Sequence, residues 1–318
     1  MQLMRLPRRD LNALAMLLFF AAYAVAGDQS APLGVAPTDE PPSTKVAATP
    51  QVTVQADVLE DRVHSYISNV TRVPYWSIDD PVQLWRRPIC PLIAGLPRNE
   101  GEFVFEHLTA VLTSIGVPRG EPGCHPNFFI VVTSEPQSIL NGVWDRNWHV
   151  FGDESPTLVR RFINTPRPVR IWYNNIPVGQ DGAPPGTPPI IAASNLATTS
   201  FAGLPTFVHD GNGLHAEYVT VSDMLSVVAI VDITKVAGLD WGQVTDYIAM
   251  AGLTKVDLDA DVGDTPSILH LFTASADSSP KGLSGWDQAF LRELYHSNVF
   301  ARHQRKIVAH GMVQDLLR

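Results

Sequence analysis

Residues 127–133 carry a continuous apolar run, Phe128-Phe129-Ile130-Val131-Val132, closed in by Pro126 on one side and Pro136 on the other. Apolar side chains at consecutive positions over so short a stretch read as a strand, because an ordinary helix would space them three and four apart. A second run, Val227-Val228-Ala229-Ile230-Val231, ends at Asp232 and reads as a buried strand; residues 169–174 supply a third. Segments with helical spacing lie between them. These are 52–69, 100–115 (stopped by Gly116 and Pro118), 136–144, and 155–163 with Ser155 as its N-cap. The two helices before residue 169 suit crossover packing on a sheet. The alternation predicts an α+β fold, a mixed sheet with packed helices.

Residues 76–96 mix proline with Trp85, Ile89 and Leu92 and suggest an extended strand containing Cys90. Residues 177–189 form a loop dense in Gly and Pro, of a length that is functional or simply variable. A hairpin is expected around Asp210-Gly211-Asn212-Gly213, with His209 and His215 at its flanks. The chain closes with a helix at 300–317, whose basic face, Arg302, Arg305 and Lys306, reads as a solvated surface.

Arg5, Arg8 and Arg9 precede a nearly unbroken apolar run, 11–26, that ends in Ala24-Val25-Ala26. This is the pattern of a secretory signal peptide cut after Ala26, and the run is short for a membrane span, which needs about 20 residues. Residues 27–51, rich in Pro, Ala and Thr, are expected to be a flexible tether, with a globular domain over 52–318. Loss of residues 1–26 removes three arginines and Asp10 from 23 basic and 32 acidic residues, leaving a formal charge of −11. Such a chain has no general electrostatic attraction to nucleic acid. The expected location is periplasmic or secreted, with no transmembrane segment after signal removal. In that oxidising compartment, Cys90 and Cys124 are expected to form a disulfide, the alternative being two buried thiols.

The segment Thr245-Asp246-Tyr247-Ile248-Ala249-Met250-Ala251-Gly252-Leu253 resembles the H-E-x-x-H-x-x-G-L frame of a zinc peptidase from which the ligands are gone. Asp240 caps the expected helix from Trp241 to about Ala251, and Gly252 is expected to end it. Downstream, Ser267-Ile268-Leu269 is similar to the methionine-containing turn of metzincins, with Leu269 in place of the methionine. The run from Leu283 to Tyr295 resembles the final helix of secreted metalloproteases, with Ser284 and Asp287 as a capping box. The resemblance covers about 225–297 and implies a zincin-like C-terminal half. A catalytic zinc needs three protein ligands and an open position. Thr245 and Ala249 cannot supply them, and the third ligand position falls on Lys255, whose charge repels a metal. No cofactor is therefore expected.

Other groupings are weaker. Asp257, Asp259, Asp261 and Asp264 alternate as in a calcium loop, but Val262 and Ile268 stand where an EF-hand has Gly and Glu, so a non-standard site and a solvated acidic turn both remain open. His209 and His215, with Asp210 and Glu217 close by, are candidate metal ligands that meet no classical spacing, the alternative being surface residues at strand ends. The phrases Arg87-Pro88-Ile89-Cys90-Pro91-Leu92, Thr165-Pro166-Arg167-Pro168-Val169-Arg170, Asp246-Tyr247-Ile248-Ala249-Met250 and Trp286-Asp287-Gln288-Ala289-Phe290-Leu291 are similar to those of a family of uncharacterised secreted proteins of Gram-negative bacteria, which implies no activity. The expected function is a catalytically silent binding or envelope-associated module whose partner is a protein or envelope component. The alternative is a hydrolase using a non-standard metal site or a metal-free carboxylate, Asp246, with Tyr295 nearby.

Overall fold

The computed structural model describes residues 50–71, 82–152, 154–178, 221–275, 278–297 and 303–318. Their elements are α1 (Pro50–Val70), β1 (Pro91–Ala94), α2 (Arg98–Ser114), β2 (Phe128–Thr133), α3 (Pro136–Asn147), α4 (Pro156–Asn164), β3 (Val169–Val178), β4 (Val221–Asp232), α5 (Trp241–Leu253), α6 (Gly285–His296) and α7 (Gln304–Leu316). All lie in one compact unit, Ala48–Arg318. The four strands form one sheet in the order β1-β2-β4-β3. β1, β2 and β4 are parallel, and β3 runs antiparallel to β4 with a register shift between Asn174 and Asn175. The fold is the α+β arrangement with a mixed sheet that the sequence predicts.

Period-two alternation explains why the strand runs are apolar throughout. Phe128, Ile130 and Val132 of β2, with Val227, Ala229 and Val231 of β4, enter the large core under α2, α5 and α6. Val131, Val228 and Ile230 face the other way, into a smaller core with Leu140, Val159 and Ile163 of α3 and α4. The sheet is thus sandwiched, and both its faces must be greasy. α2 presents Val104, Leu108, Val111 and Leu112 at helical spacing to the first of these cores.

Cys90 and Cys124 are joined, with their Cα atoms 6.1 Å apart. The bridge ties the entry of β1 to the loop that follows α2, and on a chain-entropy model it stabilises the fold by about 3 to 4 kcal/mol. Asn127 closes the same corner, accepting from the Cys90 amide through Oδ1 (2.7 Å).

α6 begins where Ser284 and Asp287 make the expected capping box. Asp287 does more than cap. Its fully buried carboxylate accepts from Tyr66 Oη on α1 (2.9 Å), from Ser267 Oγ (2.6 Å) and from the amides of Ile268 (2.8 Å) and Ser284 (2.9 Å). It joins α1, the turn at 267–272 and α6 at one point. The rings of Trp286 and Phe290 pack edge-on against Tyr66 at 5.7 and 5.9 Å.

Candidate functional site

α5 starts with the expected cap, Asp240, in a capping box with Gln243. Every residue from Gly242 to Leu253 is buried. Gly252 does not end the helix, which continues through Leu253 to Thr254, an extended C-cap with φ −149°. Nor is Gly252 among the residues with a positive φ. Its requirement is a close approach to the sheet, since a Cβ there would stand 2.4 Å from Phe128 Cζ. Thr245 and Ala249 lie on the same side at helical spacing and are 0 % exposed. Thr245 Oγ1 donates back to Trp241 O at 2.6 Å. A hydroxyl already committed to the backbone and a methyl group, both sealed in the core, do not fit a zinc ligand set.

Asp246 is engaged on both carboxylate oxygens by residues far from it in sequence. Its Oδ1 lies 2.8 Å from His107 Nε2 on α2, and its Oδ2 accepts from the Leu283 amide at 3.0 Å. Gly282 lets the chain pass, because a Cβ there would stand 2.7 Å from Asp246 Oδ2. His107 is a third exposed and stacks on Phe103, ring centroids 5.8 Å apart. The polar seam continues with Trp241 Nε1 donating to Glu100 (2.9 Å) and Gln243 donating to Pro280 O. A histidine oriented by a carboxylate is a general-base arrangement. Reading the sequence misses His107, which lies 139 positions from its partner and in no local motif.

Tyr295 does not join that pair. Its hydroxyl donates to Leu253 O and accepts from the Trp85 amide, and burial pushes its pKa well above the usual tyrosine value. Leu253 lies seven residues along α5 from Asp246, about 10 Å at helical rise. The acidic loop is equally dispersed. Asp257 Oδ1 accepts from the Asp259 amide (3.0 Å), Asp259 pairs with Arg167 (2.5 Å) and Asp261 Oδ1 holds the Gly263 amide (2.9 Å). Among the described residues no group of three or more His, Cys, Asp or Glu side chains is placed to hold a metal ion. His209 and His215, and the hairpin expected around them, lie outside the described residues.

A concavity opens beyond the C-terminal end of α5. A cleft of about 380 Å³ lies between α4, β3 and the segment 255–259. Leu158, Phe162, Ile171, Trp172, Tyr173 and Leu258 give it apolar walls. Two ion pairs link those walls, Lys255 to Glu154 (3.4 Å) and Arg167 to Asp259. Tyr173 Oη donates to Ala251 O at 2.7 Å, which fixes the cleft wall to the last turn of α5. Behind it Tyr247 meets Phe272 edge-on at 4.7 Å, and burial, opposed by the charge of Arg167, pushes its pKa up to about 12. A smaller polar cavity of about 290 Å³ lies between Arg62 and Asn69 of α1 and residues 261–265.

Among the described residues no helix is long and apolar enough to cross a membrane. In comparisons with known proteins, no protein family, no curated protein and no solved structure matches the chain.

Proposed function

We propose that the protein is an exported, catalytically silent module with a zincin-like C-terminal half, and that it binds a ligand or envelope component in the cleft at the end of α5. One observation carries the reading. The helix that resembles a metallopeptidase motif has its ligand positions packed into the core, Thr245 and Ala249 at 0 % exposure, while an apolar cleft with charged walls begins at Lys255. Clefts of this size with apolar walls and a few polar groups are the usual form of small-ligand sites. The zincin-like element order is supported by packing: β4 leads to α5, and α5 packs on both the 267–272 turn and α6.

The test has two arms. Protein purified without added metal is expected to contain no stoichiometric zinc and to melt at the same temperature with and without chelator; zinc lost together with stability would overturn the silent-module reading. The neutral apolar probe N-phenyl-1-naphthylamine is expected to bind saturably and to lose binding in Leu158→Glu. Leu158 is 50 % exposed, so this change places a charge on the cleft wall without disturbing the core. Unchanged binding in that variant would remove the cleft from the account.

The His107–Asp246 pair favours a second reading, a metal-free hydrolase with His107 as base. It predicts ester or amide hydrolysis that disappears in Asp246→Asn while the fold persists. No turnover of activated esters above the level of His107→Ala would dismiss it.

A further inference from the structure

We infer that the ligand of the cleft is an amphipathic anion: an aromatic or branched apolar body carrying one sulfonate, carboxylate or phosphate group. The inference rests on the cleft being a binding site, and it adds the chemistry of what binds there. Phe162 and Trp172 supply flat apolar surface for the body. The sign of the head group follows from how the wall charges are covered. Lys255 and Arg167 are 39 % and 27 % exposed, whereas their partners Glu154 and Asp259 are 50 % and 67 % exposed. The cations sit against the walls and the carboxylates stand out toward water.

Arg161 completes the asymmetry. It lines the cleft without a carboxylate partner among the described residues, unlike its neighbour Arg160, which lies over the Trp144 ring at 4.0 Å. An anion entering the cleft meets a guanidinium that pairs with no carboxylate of the described residues, and it can also compete with the solvated Asp259 for Arg167. Of the acidic residues that line the cleft, Glu154 and Asp259 already hold cations, and Asp257 turns one oxygen to the Asp259 amide. Charge interactions beside an apolar wall are stronger than in bulk water, so one head group of the right sign shifts affinity by an order of magnitude or more.

The experiment compares two probes with one aromatic body, 8-anilinonaphthalene-1-sulfonate and the neutral N-phenyl-1-naphthylamine, titrated against the oxidised protein by fluorescence. The expected result is one saturable site for each, with the sulfonate at least about tenfold tighter at low salt. Arg161→Ala should remove most of that advantage and leave the neutral probe unchanged; Leu158→Glu should abolish both. Equal affinities, or a sulfonate advantage that survives in Arg161→Ala, would overturn the anion inference and leave the cleft as a binding site. Failure of both probes to saturate would overturn the inference together with the binding reading beneath it.

Discussion

The seam on the N-terminal half of α5, which includes Asp246, and the cleft that begins at Lys255 just past its C-terminus handle charge in opposite ways. In the seam, Asp246 is answered from two sides by His107 and the Leu283 amide; a few residues on, Asp287 is answered by donors from α1, the 267–272 turn and its own cap. Asp287 is fully buried and Asp246 nearly so, so a lost partner leaves a charge or a donor with little or no water to replace it. In the cleft the ion pairs Lys255–Glu154 and Arg167–Asp259 are wet at their acidic ends. Exposed pairs contribute only about 0 to 1 kcal/mol, so they can be remade around a ligand at small cost. Polar groups in the seam therefore hold the fold, and those in the cleft are available for binding.

The largest effect that sharpens this contrast is alkaline. Burial raises the pKa of Tyr66, Tyr173, Tyr247 and Tyr295, and Tyr66 also lies beside the Asp287 carboxylate. A phenol whose folded-state pKa exceeds its unfolded value stabilises the fold fully below the unfolded value, and that stabilisation is lost as pH rises through the folded one. Stability should be insensitive to these groups at neutral pH and fall from about pH 10 to about pH 12, the window set by Tyr247. Circular dichroism against pH checks it. Phenolate absorbance completing near pH 10 in a protein that stays folded would contradict it.

Asp287→Ala comes next, with an expected loss of about 4 kcal/mol, because it strands donors from three elements in a dry core. A loss under about 1 kcal/mol in urea unfolding would show that water reaches the site. Gly252→Val should cost about 3 kcal/mol, since Phe128 is fully buried and cannot move aside. The smallest effects bear on the comparison itself. His107→Ala should cost about 1 to 2 kcal/mol and Lys255→Ala no more than about 0.5 kcal/mol. Equal costs would erase the distinction between seam and cleft.

Much of the fold is legible in the sequence because its signals are local. The apolar run of β2, the caps Ser155, Asp240 and Ser284, and the lone pair of cysteines each speak for themselves. The start of β4 is not legible in that way. Ser222, Asp223 and Ser226 break the apolar pattern, and that part is a strand because β3 pairs with it, with Asp223 buried against Arg86. Gly252 reads as a helix terminator for the same reason: only the position of Phe128 reveals its purpose. The site is less legible still. Asp246 stands out by its motif frame, whereas His107 reaches it from α2, and the cleft is assembled from α4, β3 and the segment after α5 with no shared motif.

The most direct measurement is a ¹H–¹⁵N spectrum of the protein titrated with N-phenyl-1-naphthylamine. Saturable shifts are expected at the Trp172 indole N–H and the amides of residues 255–259, with the Leu283 amide and the His107 ring unmoved. Shifts centred on Leu283 and His107, with the cleft silent, would contradict the account and place the functional site in the seam.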